Sequence, residues 1–283
     1  MHKPIRSLPS ALALHALLLA LSLLPAWAQT QEPIKLGLLP IFSARTLIGH
    51  YQPVRSYLER ELQRPVVLLT AADFRHFYRD LAAGEFDLAV SAPHMARLAQ
   101  TEHGMLPLAI YRNTSRAVLI AAKARPVTDI QQLRGQRLAT FDPMALNVRR
   151  ALAWLAEQGL VAGRDFQVIV TRSHTSVAHA VSQGEALLGV TAPTGHRAWT
   201  PEMRQDLEIY RQLPPVPSLV WLAHPRLAAH APRLRAALLR FPDTPEGRLF
   251  FGITGYEGLR EPRPGELEGL ETDARELARL LQP

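Results

Sequence analysis

The chain of 283 residues contains no cysteine. This absence excludes disulfide bonds, thiolate metal sites and catalysis by a thiol, so the fold must be stabilised by packing. Hydrophobic residues make up 47% of the sequence, which is enough for a sizeable core in a chain of this length. After residue 28 there is no apolar run long enough to cross a bilayer. We therefore expect a soluble α/β protein from that point onward.

The sequence also lacks the common motifs of nucleophilic and nucleotide-dependent enzymes. It contains no G-x-S-x-G elbow, no G-x-x-x-x-G-K-[ST] loop and no S-x-x-K pair. The eleven histidines include no H-x-H or H-E-x-x-H pattern, which argues against a metal site. We predict a binding protein with no catalytic residues, no metal and no cofactor. A hydrolase without a recognisable motif is the alternative.

Positive charge is spread along the chain and is not concentrated in one run. The formal net charge is +7, carried almost entirely by arginines, and no basic segment interleaved with aromatic residues is present. Nucleic-acid binding is therefore not predicted. The net positive charge predicts only a general attraction for small anions.

The N-terminus has the pattern of a secretory signal. Lys3 and Arg6 precede an apolar stretch at residues 11–24, and small residues lead up to Ala28. This pattern predicts cleavage after Ala28 and a periplasmic location, with an uncleaved membrane anchor as the alternative.

A ten-residue motif occurs twice, one hundred positions apart. Residues 84–93 read GEFDLAVSAP and residues 184–193 read GEALLGVTAP. Gly84 and Gly184 suit the left-handed position that ends a helix, and the proline of each copy suits the first turn of the next helix. Each copy therefore predicts helix, strand, helix, with Ser91 and Thr191 where the strand ends. Their hydroxyls are predicted to donate to a ligand; capping of the following helix is the alternative role.

Apolar runs and helical periodicities alternate along the whole chain. Strands are predicted at residues 34–39, 66–70, 87–91, 106–111, 137–141, 166–171 and 187–191, with helices between them. This order predicts an α/β fold with two lobes, each a mainly parallel sheet flanked by helices. Two strands, at 117–122 and 219–223, are predicted to cross between the lobes. The predicted divisions are a signal at 1–28, the first lobe at 29–120, the second lobe at 121–216, and a return to the first lobe at 217–283.

Four segments carry a resemblance to a known family. They are residues 57–62 (YLEREL), 81–89 (LAAGEFDLA), 129–135 (DIQQLRG) and 140–143 (TFDP). In this order and spacing the chain resembles the phosphate/phosphite/phosphonate-type periplasmic substrate-binding proteins of ABC importers, which have the type II periplasmic binding fold. The resemblance implies a monomeric protein that captures a small molecule, an oxyanion or organic anion, and delivers it to a membrane permease. A ligand-binding partner of a sensor kinase is the alternative.

Two departures from the family affect the expected ligand. The Asp142-Pro143 turn continues as residues 144–147 (MALN), where the phosphonate binders have a run of serines and threonines. The acidic residue that the family has near the second repeat strand is absent at residues 190–193 (VTAP). We therefore expect a ligand with an apolar body and one anionic end in place of a phosphonate.

Further candidate site residues follow the predicted strands. Phe42 and Ser43 lie in a predicted loop at residues 41–46, and core packing is the alternative role for Phe42. The resemblance places ligand contacts at Asp142, Met144 and Asn147, although Asp142 could instead only hold its turn. The remaining candidates begin predicted helices: His94, Thr194 and His174. A surface position is the alternative for His94. For the polar segment at residues 173–176, which is predicted to lie at the cleft, helix capping by Thr175 or Ser176 is the alternative.

Overall fold

The computed structural model describes residues 32–282. From Pro33 onward these residues belong to one compact unit. The predicted signal at 1–28 and its cleavage after Ala28 lie outside the described residues.

Within residues 32–282, eleven strands form two separate sheets. In chain order they are β1 (Ile34–Leu38), β2 (Val66–Thr70), β3 (Leu88–Ser91), β4 (Leu106–Tyr111), β5 (Val118–Ala122), β6 (Arg137–Thr140), β7 (Gln167–Val170), β8 (Leu188–Thr191), β9 (Leu207–Gln212), β10 (Val220–Ala223) and β11 (Leu259–Arg260). The first sheet has the order β11-β4-β10-β3-β1-β2 and the second has the order β7-β6-β8-β5-β9.

The two sheets share one topology. In the first, β2 and β3 pair with β1 in parallel, and the antiparallel strands β10 and β4 follow. In the second, β7 and β8 pair with β6 in parallel, and the antiparallel strands β5 and β9 follow. The position of β5 beside β8 is thus filled in the first sheet by β10, which comes from late in the chain. This confirms the predicted α/β fold with two sheets; in each sheet two strand pairs are parallel and the other pairs are antiparallel.

Helices cover the faces of the sheets, because the parallel strands need helical connections. They are α1 (Ala44–His50), α2 (Gln52–Leu62), α3 (Phe74–Ala82), α4 (Pro93–His103), α5 (Leu146–Glu157), α6 (His174–Ser182), α7 (Pro193–Arg197), α8 (Pro201–Asp206), α9 (Ala231–Arg240), α10 (Pro245–Thr254) and α11 (Glu271–Leu281). Short 3₁₀ turns lie at Ile130–Leu133, Pro225–His230, Phe241–Asp243 and Glu268–Leu270.

The repeated motif has the predicted structure in both copies. Gly84 and Gly184 follow α3 and α6 with φ of 75° and 80°, the left-handed conformation that glycine adopts without strain. The next residues form β3 and β8, and the proline of each copy is the first residue of α4 or α7. The motif therefore marks equivalent strand ends in the two sheets.

The chain passes between the sheets at two adjacent segments. Ser115 and Val216 lie in the connections that join β4 to β5 and β9 to β10, and each donates its N–H to the carbonyl of the other, at 2.9 and 2.8 Å. The predicted crossing strands β5 and β10 flank this bridge. The lobe limits at residues 120 and 216 stay a prediction.

One local prediction was wrong. Residues 41–46 were expected to form a loop, whereas α1 begins at Ala44. Ser43 Oγ accepts a hydrogen bond from the Thr46 N–H at 3.2 Å and so caps this helix. With seven residues, α1 is too short to show a helical period in the sequence.

The C-terminal helix joins elements from both sheets. α11 packs along α4, where Glu271 pairs with Arg97 at 2.9 Å. On another side it reaches α5, where Asp273 accepts from Arg150 at 2.7 Å and Glu276 pairs with Arg149. The Asp273 side chain is only 11% exposed, so water screens this pair less than an ordinary surface pair.

No helix among residues 32–282 is both long enough and apolar enough to span a membrane.

Close packing behind β1 leads to a stability prediction. A Cβ at Gly37 would lie 2.4 Å from the Phe86 ring, so Gly37→Ala should lower the free energy of unfolding by about 1–3 kcal/mol. Gly49 is the matched control, because it is exposed in α1 and a Cβ added there would meet no atom within 4 Å. Gly49→Ala should raise stability by about 0.5 kcal/mol, because alanine favours the helix. Urea unfolding of both variants tests the pair; equal effects would contradict it.

Candidate functional site

A cavity of about 70 Å³ lies where the two sheets meet the crossing segments. Its walls come from the residues that follow the parallel strands, such as Leu39 after β1 and Phe141 after β6. Its floor comes from the crossing segments at 113–115 and 216–219. Ligands of open α/β sheets bind at the carboxyl ends of strands, so this cavity has the expected position for a binding site.

Aromatic rings form much of the wall. Phe141 lies 4.0 Å from His174 and 6.1 Å from Phe74, measured between ring centroids. Tyr256 adds a fourth ring, and its other face stacks on Tyr111 at 4.1 Å. Such a surface can enclose an apolar group while a few polar atoms fix its orientation.

Three helices begin at this cavity with alanine as the N-cap. Ala92, Ala145 and Ala192 precede α4, α5 and α7, and none of these helix starts has a side-chain cap. By contrast, the described helices α1, α3, α6, α8 and α10 are capped by Ser43, Asp73, Ser173, Thr200 and Thr244.

The alanine caps leave backbone donors without an intrahelical partner. The first N–H groups of a helix have no acceptor within the helix, and an alanine side chain cannot supply one. α2, α9 and α11 also lack side-chain caps, but each directly follows another helix or a 3₁₀ turn. The cavity is thus bordered by helix starts with free donors and a partial positive charge.

His174 lines the cavity as a neutral side chain. It is 2% exposed, and burial lowers the pKa of its imidazole to about 4. Its Nδ1 shares a hydrogen bond of 3.0 Å with Thr191 Oγ1. Thr191 is fully buried and does not line the cavity, so its hydroxyl orients His174.

His94, which is buried and does not line the cavity, connects two helices that begin at it. Its Nε2 donates to the Met144 carbonyl at 2.9 Å, which joins α4 to the loop that precedes α5. Burial lowers the pKa of His94 to about 4, although the Met144 carbonyl opposes this shift. The neutral ring therefore carries its proton on Nε2, and Nδ1 has no hydrogen-bond partner.

Asp142 makes a second polar connection across the site. Its carboxylate accepts from the Phe74 N–H at the start of α3, at 3.2 Å, and from the Met144 N–H at 2.8 Å. Burial raises the pKa of Asp142, and these two N–H groups oppose the rise. The Asp142 side chain therefore stabilises its own turn, which was the alternative role considered for it, and it also connects that turn to α3.

Asn147 and Thr194 are the other predicted residues that line the cavity. Asn147 Nδ2 donates to Ser115 Oγ at 2.9 Å, while its Oδ1 is buried without a hydrogen-bond partner. Thr194 lies in the first turn of α7. Asn147 therefore connects the cavity to the bridge between the crossing segments.

The remaining predicted residues lie beside the cavity. Phe42, Ser43, Asp142 and Met144 line an adjoining groove, with the Phe42 ring 6.2 Å from His174. Ser91 is fully buried outside the cavity lining, and its Oγ has no hydrogen-bond partner. Ser173 caps α6, so the alternative of capping by Thr175 or Ser176 does not apply. The assignment of all ten residues to ligand binding stays a prediction.

The crossing segments supply cavity residues that sequence reasoning missed. Asn113, Thr114, Ser115 and Ser218 line the floor of the cavity, and Tyr256 lines its wall. The proline-rich stretch at 214–217 signals only a rigid turn. The prediction that strands cross between lobes nevertheless implied that neighbouring residues would lie at the base of a cleft.

No group of three or more histidine or acidic side chains within residues 32–282 is arranged to hold a metal ion.

Solved structures with the same fold include binding proteins. PhnD1 of Prochlorococcus marinus (MIT 9301), in complex with methylphosphonate, is 13% identical and has a TM-score of 0.77, covering 87% of this chain and 98% of that chain. XAC2383 of Xanthomonas citri, bound to chloride, is 20% identical with a TM-score of 0.70, covering 87% and 99%. The periplasmic aliphatic sulphonate binding protein SsuA of Escherichia coli is 14% identical with a TM-score of 0.62, covering 89% and 94%. They share the two-lobed fold.

A family model for the phosphonate-type periplasmic substrate-binding protein of ABC transporters matches residues 36–266. This range includes both sheets apart from the first two residues of β1, and every residue of the cavity named above. The chain therefore belongs to this family of periplasmic substrate-binding proteins, and it is a solute-binding protein of an ABC importer and not an enzyme.

Proposed function

We propose that the protein captures a small ligand with an apolar body and an oxyanion end in the cavity between its sheets, as a monomer. The observation that carries this proposal is the meeting of two uncapped helix starts, those of α4 and α5, at one cavity with largely apolar walls. An oxyanion satisfies several backbone donors at once and is stabilised by the helix dipoles.

The side chains that line the cavity orient the ligand. His174, held by Thr191, has its ring in the wall, and Thr194 can donate its hydroxyl to a ligand oxygen. Asn147 Oδ1 lacks a partner, so it accepts from a donor on the ligand or from water. A second group of predicted residues surrounds those that line the cavity: Phe42, Ser43, Ser91, His94, Asp142 and Met144.

The related structures support an anionic ligand. PhnD1 holds methylphosphonate, XAC2383 holds chloride, and SsuA is a sulphonate-binding protein. The family match favours the importer over a sensor kinase as the partner.

We infer that binding closes two lobes, 29–120 with 217–283 on one side and 121–216 on the other. The paired crossing segments at Ser115 and Val216 are the natural hinge. The hydrogen bonds His94–Met144 and Phe74–Asp142 join the two sides in the closed form. A ligand that contacts both sides favours this form through its additional contacts.

Ligand binding is tested with the mature protein and a panel of phosphonates, phosphite, sulfonates and carboxylates. We expect a thermal shift with at least one member, because a ligand that binds only the folded state stabilises it. Mass spectrometry of ligand that co-purifies with the protein gives an independent result. Absence of both a shift and a bound molecule would remove the main support for the proposal.

A bulky side chain in the cavity should block binding. Thr194→Trp is expected to weaken the affinity for any ligand found in the panel by at least about tenfold, since the indole competes for the same space. Thr175→Trp is the matched control, because Thr175 is exposed in an adjoining groove and does not line the cavity. Calorimetry that gave equal affinities for the two variants would move the site elsewhere.

Acid should destabilise the protein through its buried histidines. A pKa of about 4 in the folded state, against the ordinary pKa of 6.5 for histidine, means that the unfolded chain binds more protons between these values. Stability is therefore full above pH 6.5 and falls as the pH decreases towards 4, by about 3 kcal/mol for each of His94 and His174.

Denaturant unfolding at several pH values measures this dependence. His94→Gln keeps a side-chain N–H near the Met144 carbonyl but cannot take up a proton, so its stability should depend less on pH. The exposed His179, replaced by glutamine, is the control. An unchanged acid dependence in His94→Gln would contradict the buried, neutral state of this side chain.

A further inference from the structure

We propose that the ligand carries a single negative charge, as a carboxylate or sulfonate does, and that this protein discriminates against dianionic phosphonates. The inference rests on the proposed function, since it concerns the same cavity. It rests on two observations: the cavity lining has no charged side chain, and the helix starts supply a limited partial positive charge.

The cavity contains no formally charged side chain. Among the described residues that line it there is no arginine, lysine, aspartate or glutamate. The one titratable imidazole, that of His174, is neutral at physiological pH because of its burial. Hence no side chain can neutralise a doubly charged ligand by forming an ion pair, and a buried charge without compensation is costly.

The positive charge that is available amounts to about one unit. A helix N-terminus acts as roughly half a positive charge. α4 and α5 are the two helices of full length that begin uncapped at the cavity, and together they supply about +1. One negative charge is balanced by this sum, whereas the second charge of a phosphonate dianion is not.

The carboxylate of Asp142, which lies beside the cavity, makes a dianion less favourable. Asp142 follows Phe141 and accepts from the Phe74 N–H, and both phenylalanines line the cavity. This nearly buried carboxylate therefore occupies the donor at the start of α3 and repels a second negative charge. Arg112, Arg116 and Arg197 line adjoining grooves and not the cavity itself. Arg112 and Arg197 are exposed, so water screens their attraction.

The test compares four ligands with the same propyl body and different charges. Butyrate, propane-1-sulfonate, propylphosphonate and the neutral butyramide are titrated into the full mature protein by calorimetry at about pH 9, above the second ionisation of the phosphonate, where it is mostly dianionic. We expect at least one of the two monoanions to bind about tenfold or more tightly than both propylphosphonate and butyramide.

Two variants attribute the discrimination to Asp142. Asp142→Asn keeps an oxygen that can accept from the Phe74 N–H but removes the negative charge, so it should raise the affinity for propylphosphonate several-fold relative to the better monoanion. Glu185→Gln removes the same charge at an exposed position before β8, at the end of the strand opposite the cavity. This control should leave the ratio of affinities unchanged.

The outcomes separate the inference from the proposed function. Tightest binding of propylphosphonate at about pH 9 would overturn the inference and leave solute binding intact, and so would tightest binding of butyramide. An equal change of the ratio in both variants would overturn the role of Asp142. Binding of none of the four, together with no response to the broader panel, would overturn both the inference and the proposed function.

Discussion

The uncapped starts of α4 and α5 are the constraint on which the organisation of the site depends. Each helix needs acceptors for its first N–H groups, and their N-caps, Ala92 and Ala145, cannot provide them. In a largely apolar cavity such groups cost free energy until water or a ligand satisfies them. Most of the other described helices solve the same problem internally, with serine, threonine or aspartate caps. The missing caps of α4 and α5 thus lower the stability of the free protein and leave backbone donors available for a ligand.

The duplicated topology explains why these helix starts converge. In each sheet the central parallel strands are followed by helices, so the starts of those helices lie at the carboxyl edge of the sheet. The exchange of β10 into the first sheet places both crossing segments side by side, joined at Ser115 and Val216. The two carboxyl edges therefore face one cavity whose floor is formed by the crossing segments. Asn147 lines the cavity and donates to Ser115, so one hydrogen bond connects the cavity lining to these segments.

Much of the fold was readable from the sequence, but side-chain direction was not. Runs of apolar residues and the glycines of the repeat located the strands, because burial on both faces leaves a strong signal. The side chains of Ser91 and Thr191 are fully buried and do not line the cavity, and their role in ligand binding stays a prediction. The residues after them, Ala92 and Ala192, line the cavity. Because side chains alternate along a strand, a motif alone does not reveal which of two neighbouring residues faces a cavity.

The contact of Asp142 with Phe74 and that of His94 with Met144 were also beyond the sequence, because these partners are 68 and 50 residues away. Both side chains form hydrogen bonds with backbone groups across the site, although their own chemistry suggested ligand contacts. This has a consequence for binding. The protein's own polar groups already join the two sides behind the cavity, so the ligand must mainly satisfy the helix donors and fill apolar space. A site that uses its carboxylate for closure has less need of strong charge on the ligand, and its selectivity then rests on the number of charges that the helix starts can balance.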